Sequence, residues 1–163
     1  MVLRNPEYAR SVIFGIEDSL VSTTGLVAGL SVGSADRRIV ILGGAVAIAI
    51  EALSMGAGEY LAEDAVHEVD GRKIHKDKPQ VSGLLMFASY ILAGLVPLSP
   101  VVFLGYPGSV YISVLVALLG LFFLGFIKGK VLSTNPLRGG FKILVVGGLA
   151  TFIGVAVGML FKI

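Results

Sequence analysis

Five long apolar stretches, separated by short polar ones, dominate the pattern of the chain. They cover about residues 11–32, 39–61, 81–103, 110–127 and 141–161. Each is close to the roughly 20 residues that a helix needs to cross the hydrocarbon core of a bilayer. The pattern therefore predicts an all-α membrane protein, with five transmembrane helices in one domain that spans residues 1–163.

The composition agrees with lipid as the surrounding solvent. Hydrophobic residues make up 55% of the 163 positions and charged residues 15%, with a mean hydropathy of +0.90. Soluble domains carry about 25% charged residues. The chain has no cysteine, which excludes disulfides, thiolate metal sites and cysteine nucleophiles. The net charge of +2 is too small and too dispersed to indicate a nucleic-acid partner.

The first apolar stretch also has to be distinguished from a secretory signal peptide. It is interrupted by acids and lacks a small-residue cleavage site of the A-x-A kind. We therefore expect it to be retained as the first helix.

Lysine and arginine are unevenly divided between the two ends of the spans. If the N-terminus is cytoplasmic, ten of the 13 basic residues lie inside, and only Arg37, Arg38 and Lys162 lie outside. The positive-inside rule then predicts an N-in, C-out topology, against which only the Arg37–Arg38 pair argues. The inside set is Arg4, Arg10, Arg72, Lys73, Lys76, Lys78, Lys128, Lys130, Arg138 and Lys142.

The number of spans bears on how a path through the membrane could be built. The chain shows no internal repeat, and an odd number of spans excludes a simple two-fold inverted duplication. A homo-oligomer with its path between subunits fits this pattern better.

Two adjacent acids, Glu17 and Asp18, lie inside the first span. Asp18 is about seven residues into it, roughly 10 Å below the cytoplasmic edge at 1.5 Å per residue. An acid there is unfavourable without a partner, so Asp18 is expected to face protein, whereas Glu17 points elsewhere. A stripe of small residues with a spacing of four permits close helix packing, and predicts that the first helices of two subunits meet here. The face shared with Asp18 holds Ser22, Gly25, Gly29 and Gly33.

The second span carries a matching set of residues. Glu51, Met55 and Glu59 recur every four positions and so form one ladder on a helix. Because this helix runs back toward the cytoplasm, Glu51 and Met55 should lie at about the depth of Asp18. Carboxylates together with a thioether favour a divalent transition metal such as Fe(II) or Mn(II).

Simpler interpretations of these residues stay open. Met55 could be a packing residue, and the hydroxyls of Ser22, Thr23 and Thr24 are expected to bond to their own helix backbone. A single buried acid could be a structural hydrogen-bond partner. Acids at matching depths on two helices nevertheless favour a function, since intramembrane acids are functional hypotheses by default.

Two stretches together resemble the vacuolar iron transporter family: "FGIEDSLVSTTGLVAGLSVGSAD" and "EALSMGAGEYLAE". The later stretches "LAGLVPLSP" and "GLFFLGFIKGKVLSTNPLRGGFKILVVGGLATFIGVAVG" are similar to its third to fifth helices. The resemblance implies a homodimer of five-helix subunits that exports Fe(II), and often Mn(II), from the cytosol in exchange for protons, along the dimer interface. It places the family's first-helix aspartate at Asp18, its second-helix methionine at Met55 and its Gly-Glu-Tyr glutamate at Glu59.

The chain departs from the family pattern within the spans. Ser19 replaces the glycine after the aspartate, and Ser22 replaces a threonine. The position of a family glutamate, two turns before the methionine, is Ala47. We expect Glu51, one turn before Met55, to take its place.

A larger departure is the short cytoplasmic connection at residues 62–80, where typical members insert a long metal-binding domain. Within it Glu63 and His67 are four apart, with Glu59 one turn earlier, and form a weak candidate metal site. The alternative is a solvated helix end, with Asp70–Gly71 turning the chain back toward Pro79.

The function that these patterns favour is exchange of a metal ion for protons. Asp18, Met55 and Glu51 of both subunits would hold the ion, and protons would release it, because ligation requires deprotonated carboxylates. No resident cofactor is expected. An enzymatic function is not expected either, since both histidines, His67 and His75, lie in the charged connection and the sequence shows no nucleophile–base pair.

Two other functions stay open: a proton-coupled exporter of organic cations with Asp18 as counter-ion, and a non-transporting membrane scaffold. The expected location is the plasma membrane in a prokaryote, which the short connection favours, and the vacuolar membrane in a eukaryote.

Overall fold

Five α-helices make up the fold of this chain. The computed structural model describes residues 5–70, 77–131 and 133–162. The helices are α1 (Pro6–Ser34), α2 (Arg37–Asp70), α3 (Pro79–Phe103), α4 (Gly108–Val131) and α5 (Pro136–Leu160). All five are long and apolar enough to cross a membrane, and the described residues contain no strand. The predicted fold class, an all-α protein with five membrane helices, is confirmed.

Local sequence signals set the helix boundaries. Asn5 accepts a hydrogen bond from the Glu7 backbone N–H at 2.9 Å, and Pro6 begins α1. Asn135 and Pro136 repeat this arrangement at the start of α5. Such caps satisfy backbone donors that the first turn leaves unpaired, and proline suits the first helical position because it has no N–H. Ala35, in the left-handed region at φ 51°, ends α1 and leads directly into α2.

The helices extend past the predicted spans, most of all in α2. This helix continues to Asp70, although its apolar span was predicted to end near position 61. Residues 62–69, which include four polar side chains, therefore continue the helix, and α3 begins at Pro79. The predicted turn at Gly71 lies outside the described residues, as do the basic residues Arg4, Arg72, Lys73 and Lys76.

Helix α1 lies at the centre of the bundle and packs against the other four helices. Helix α2 also packs on α3, α3 on α4, and α4 on α5. Between α2 and α5 the described residues make no contact, so one side of α1 is left uncovered between them. Many large apolar side chains point outward, including Phe103 at 81% exposure. This distribution suits lipid, which removes the hydrophobic drive to bury such side chains.

The glycine stripe of α1 packs against α5 of the same chain. Gly25, Gly29 and Gly33 face Ala150, Gly154 and Gly158, and a Cβ on Gly29 would lie 2.6 Å from the Gly154 carbonyl oxygen. The prediction that this stripe brings two first helices together is therefore wrong. The physical reason is that α5 carries small residues with the same spacing of four, which lets the two backbones touch.

The Arg37–Arg38 pair, the exception to the charge rule, has a local explanation. Arg37 donates through Nε to the Val101 carbonyl at 2.9 Å and through Nη2 to the Val102 carbonyl at 2.6 Å. These carbonyls belong to the last turn of α3, where a helix leaves acceptors unpaired and favours a nearby cation. Arg37 therefore caps α3.

Candidate functional site

Two hydrogen bonds fix the register between α1 and α2. Ser22 Oγ donates to Glu51 Oε2 at 3.1 Å, and Ser11 Oγ donates to Glu59 Oε1 at 2.6 Å. Asp18 lies one turn before Ser22, and Met55 lies one turn after Glu51. Because the helices are antiparallel, the structure places Asp18 and Met55 at the same level of the membrane.

Glu51 is held by hydroxyl groups from two helices. Tyr90 of α3 is fully buried, and its Oη donates to Glu51 Oε2 and lies 2.7 Å from Ser22 Oγ. Ser19 Oγ donates to the Tyr90 carbonyl at 2.6 Å, which fixes α3 against α1 at this level. We call Asp18, Ser22, Glu51, Met55 and Tyr90 the membrane carboxylate site.

The hydroxyls of α1 follow the prediction only in part. Thr24 bonds to the Leu20 carbonyl of its own helix, as predicted, but Ser22 bonds to other helices. Tyr90 was not among the residues that the sequence pattern predicted for this site. The available signal was a tyrosine within an apolar span, since a buried phenol needs a hydrogen-bond partner.

The charge of the membrane carboxylate site is not balanced by any described residue. Asp18 is half-buried and forms no hydrogen bond or ion pair with the described part of the chain, and Glu51 bonds there only to hydroxyls. Asp18 is close enough to Glu51 for their charges to repel. Carboxylates inside a membrane are costly unless paired. A cation or protons would offset this cost.

The neighbouring acid Glu17 belongs to a different environment. Its Oε2 lies 4.0 Å from Lys128 Nζ of α4, and both side chains are partly exposed. This placement agrees with the expectation that Glu17 points away from the site.

A second group of acids lies where α1 begins and α2 ends. Arg10 Nη2 contacts Oε1 of both Glu59, at 3.3 Å, and Glu63. Glu59 also accepts the Ser11 hydrogen bond. These acids therefore have a cationic partner within the chain.

Glu63 and His67 are buried, not solvated. Each is 5% exposed, and Asp77, from the residues that lead into α3, lies beside them. His67 Nε2 is 3.0 Å from Asp77 Oδ2, and one ligand atom from each of the three residues falls within 4.8 Å of the others. The alternative of a solvated helix end is therefore wrong for these two side chains, although the residues between and after them, such as Val66 and Glu68, are exposed. Asp77 was not among the predicted ligands, because it is ten residues from His67 and only tertiary structure brings the two together.

The six predicted residues thus fall into two groups. Glu51 lies near Asp18, and the helix register places Met55 at the same level, whereas Glu59, Glu63 and His67 lie with Arg10 and Asp77. We call the group of Arg10, Glu59, Glu63, His67 and Asp77 the mouth cluster. Glu63 lies eight residues beyond Met55 on α2, which is about 12 Å along a helix.

The model of the VIT family matches this chain over residues 9–76 and 63–159. The chain belongs to the VIT family. The vacuolar iron transporter 1 of Arabidopsis thaliana is 26% identical over 206 positions, which cover 89% of this chain and 82% of that protein. The vacuolar iron transporter 1 of Oryza sativa subsp. japonica is 28% identical with the same coverage. The vacuolar iron transporter homolog 1 of Arabidopsis thaliana is 26% identical over 93% of this chain and 86% of its own length.

The relatives differ in the number of positions over which they align with this chain. The first two relatives align over 206 positions, whereas 89% of 163 residues is about 145, so about 60 of their positions have no counterpart here. The vacuolar iron transporter homolog 1 of Arabidopsis thaliana aligns over only 171 positions. The two matched segments of the family model overlap at residues 63–76, a range that includes Glu63 and His67.

Proposed function

We propose that this chain is a transporter of divalent transition metals, Fe(II) and also Mn(II), that exports metal from the cytosol in exchange for protons. The observation that carries the proposal is the membrane carboxylate site. Two carboxylates without a cationic partner share a membrane level with a thioether. The names of the relatives, vacuolar iron transporters, support iron as the cargo.

The ligand types favour this cargo. Asp18 and Glu51 supply carboxylate oxygens, which suit Mg, Ca and Mn, and Met55 supplies a thioether, which favours softer ions such as Fe(II). Within the described part of one chain, the site offers these three candidate ligand side chains at this level. We propose that a second copy, seated on the uncovered side of α1 between α2 and α5, completes the site as a homodimer.

Proton exchange follows from the same carboxylates. Metal binding requires their deprotonated form, and a proton on each would remove the charge that holds the ion. Ser22 and Tyr90 can bond to Glu51 in both states, because a hydroxyl is a donor and an acceptor. Metal and protons therefore bind alternately to the same carboxylates and neutralise their charge. Such alternate binding is what an antiporter requires.

The direction of transport follows from the predicted N-in topology. The mouth cluster then faces the cytosol, and metal passes Glu59 and Glu63 before it reaches Asp18. The protein has no enzymatic role in this scheme, and the metal is cargo. In a prokaryote the membrane is the plasma membrane.

Purified protein in liposomes tests the proposal, with Fe(II) or Mn(II) flux and internal pH recorded together. We expect metal movement that is driven by a proton gradient and accompanied by counter-flow of protons. Asp18→Asn and Met55→Ala should each lower the flux. Glu17→Gln, which changes the adjacent acid, should leave it near the wild-type rate.

Three results would count against the proposal. Unchanged metal flux in both Asp18→Asn and Met55→Ala would exclude this site as the path. Proton-coupled movement of organic cations without metal would favour the organic-cation exporter. Wild-type protein that moves no metal under any gradient would leave the scaffold as the better description.

A further inference from the structure

We propose that Glu63, His67 and Asp77 form a second binding site for a divalent transition-metal ion, separate from the membrane carboxylate site. All three residues are buried, and they come from the end of α2 and from the residue pair that leads into α3. One ligand atom from each lies within 4.8 Å of the others. Binding here does not depend on the transport cycle proposed above.

The distances within this trio suit metal ligation. His67 Nε2 and Asp77 Oδ2 are 3.0 Å apart. Two ligand atoms at about 2.1 Å from one ion, at a right angle, are separated by about 3 Å. His67 and Asp77 share a hydrogen bond here, and the distance between their atoms is also the distance expected between two neighbouring ligands of one ion.

The donor set selects the class of ion. Two carboxylates suit Mg, Ca and Mn(II), and an imidazole nitrogen shifts the preference toward transition metals such as Fe(II) and Zn(II), so Mn(II) can serve as a probe of the site. Glu63 can join while it remains in contact with Arg10, since a carboxylate offers about four acceptor positions. Water would complete the coordination, as in metal sites with three protein ligands.

The site is connected to α1 through Arg10. This side chain contacts both Glu63 and Glu59, and it lies two turns before Asp18 on the same helix. An ion bound by Glu63 adds positive charge beside Arg10 and weakens its hold on that carboxylate. Occupancy of the mouth cluster therefore acts on the helix that carries the membrane carboxylate site.

Pulsed electron paramagnetic resonance of bound Mn(II) tests the site, because it detects coupling to a ligating imidazole nitrogen. The full-length protein is used in detergent, with a purification tag that contains no histidine. The chain has only two histidines, His67 and His75. We expect nitrogen coupling in the wild type, its loss in His67→Gln and its retention in His75→Gln.

Two further variants keep the test decisive if His67→Gln folds poorly. Asp77→Asn preserves the shape of the side chain and should lower Mn(II) affinity at the nitrogen-coupled site at least tenfold. Glu68→Gln removes an exposed acid one residue beyond His67 and should leave that affinity within twofold. Equal affinity in Asp77→Asn and the wild type would overturn the proposal.

The outcomes also separate this site from the transport proposal. Asp18→Asn should retain the nitrogen coupling even though it lowers metal flux. A wild-type protein that shows the coupling but moves no metal supports the site and removes the transport function. Absence of nitrogen coupling in the wild type, or its loss in His75→Gln alone, overturns the site.

Discussion

The same two helices carry acids in two places, and the acids have opposite kinds of partner. In the membrane carboxylate site, Glu51 bonds to the neutral hydroxyls of Ser22 and Tyr90. In the mouth cluster, Glu59 and Glu63 contact the cation Arg10. The first arrangement positions a carboxylate without a cationic partner among the described residues, whereas in the second one arginine compensates part of the negative charge of the acids.

This difference assigns different chemistry to the two places. An unbalanced pair of carboxylates in lipid must take up a mobile cation or protons, so its occupancy changes with metal concentration and pH. At the proposed second site, a metal ion would share Glu63 with Arg10, so the two cations would compete for its charge. At the membrane carboxylate site, a metal ion would meet no built-in cation among the described residues.

The largest expected effect comes from removing the unbalanced charge itself. The double variant Asp18→Asn and Glu51→Gln keeps the side-chain shapes but eliminates both negative charges. We expect metal flux in liposomes to fall to the level of protein-free liposomes, while thermal stability holds or rises, since buried charges without partners are unfavourable. Residual metal flux, or a marked loss of stability, would show that these charges are balanced in some other way.

A second prediction concerns the contact that holds α1 against α5 and so positions both groups of acids. A Cβ at Gly29 would lie 2.6 Å from the Gly154 carbonyl oxygen, a backbone atom that cannot rotate away. Gly29→Ala should therefore lower the free energy of unfolding by about 1–3 kcal/mol, the usual cost of overpacking. Gly148→Ala is the matched control, because nothing lies within 4 Å of its Cβ position. Equal thermal unfolding of the two variants would contradict the packing argument.

Much of the fold could be predicted because membrane helices are encoded locally. Span length, the prolines at helix starts and the caps Asn5 and Asn135 are all readable in the sequence. The common level of Asp18 and Met55 also followed, since antiparallel neighbouring helices fix depth by counting residues.

The rest of the site depends on contacts between distant elements. The spacing of Gly25 and Gly29 predicts a close helix neighbour but does not say which helix, and α5 proved to be the partner. Tyr90 lies on α3, 39 positions from its partner Glu51. Asp77 lies just before α3, ten positions from its partner His67. No periodicity within one helix can report such pairs.

A smaller effect is expected from the hydroxyl that orients Glu51. Tyr90→Phe leaves that carboxylate with Ser22 as its hydrogen-bond partner among the described residues. Loss of one such bond costs about 1–3 kcal/mol, so we expect lower thermal stability and a several-fold higher KM for metal. Tyr111→Phe, on an exposed tyrosine of α4, should change neither quantity. A wild-type KM in Tyr90→Phe would show that Ser22 suffices to orient Glu51.

The smallest expected effect tests the competition at the mouth. Arg10 is 58% exposed at its side chain, and exposed ion pairs contribute about 0–1 kcal/mol. Arg10→Gln should therefore tighten Mn(II) binding at the nitrogen-coupled site by about two- to fivefold, because Glu63 no longer shares its charge with a built-in cation. Lys128→Gln removes a basic residue that lies near Glu17, outside the cluster, and should leave the affinity unchanged. Weaker Mn(II) binding in Arg10→Gln would mean that Arg10 orients Glu63 for the metal instead of competing with it. The membrane carboxylate site and the mouth cluster would then differ only in whether a cation of the chain contacts their acids.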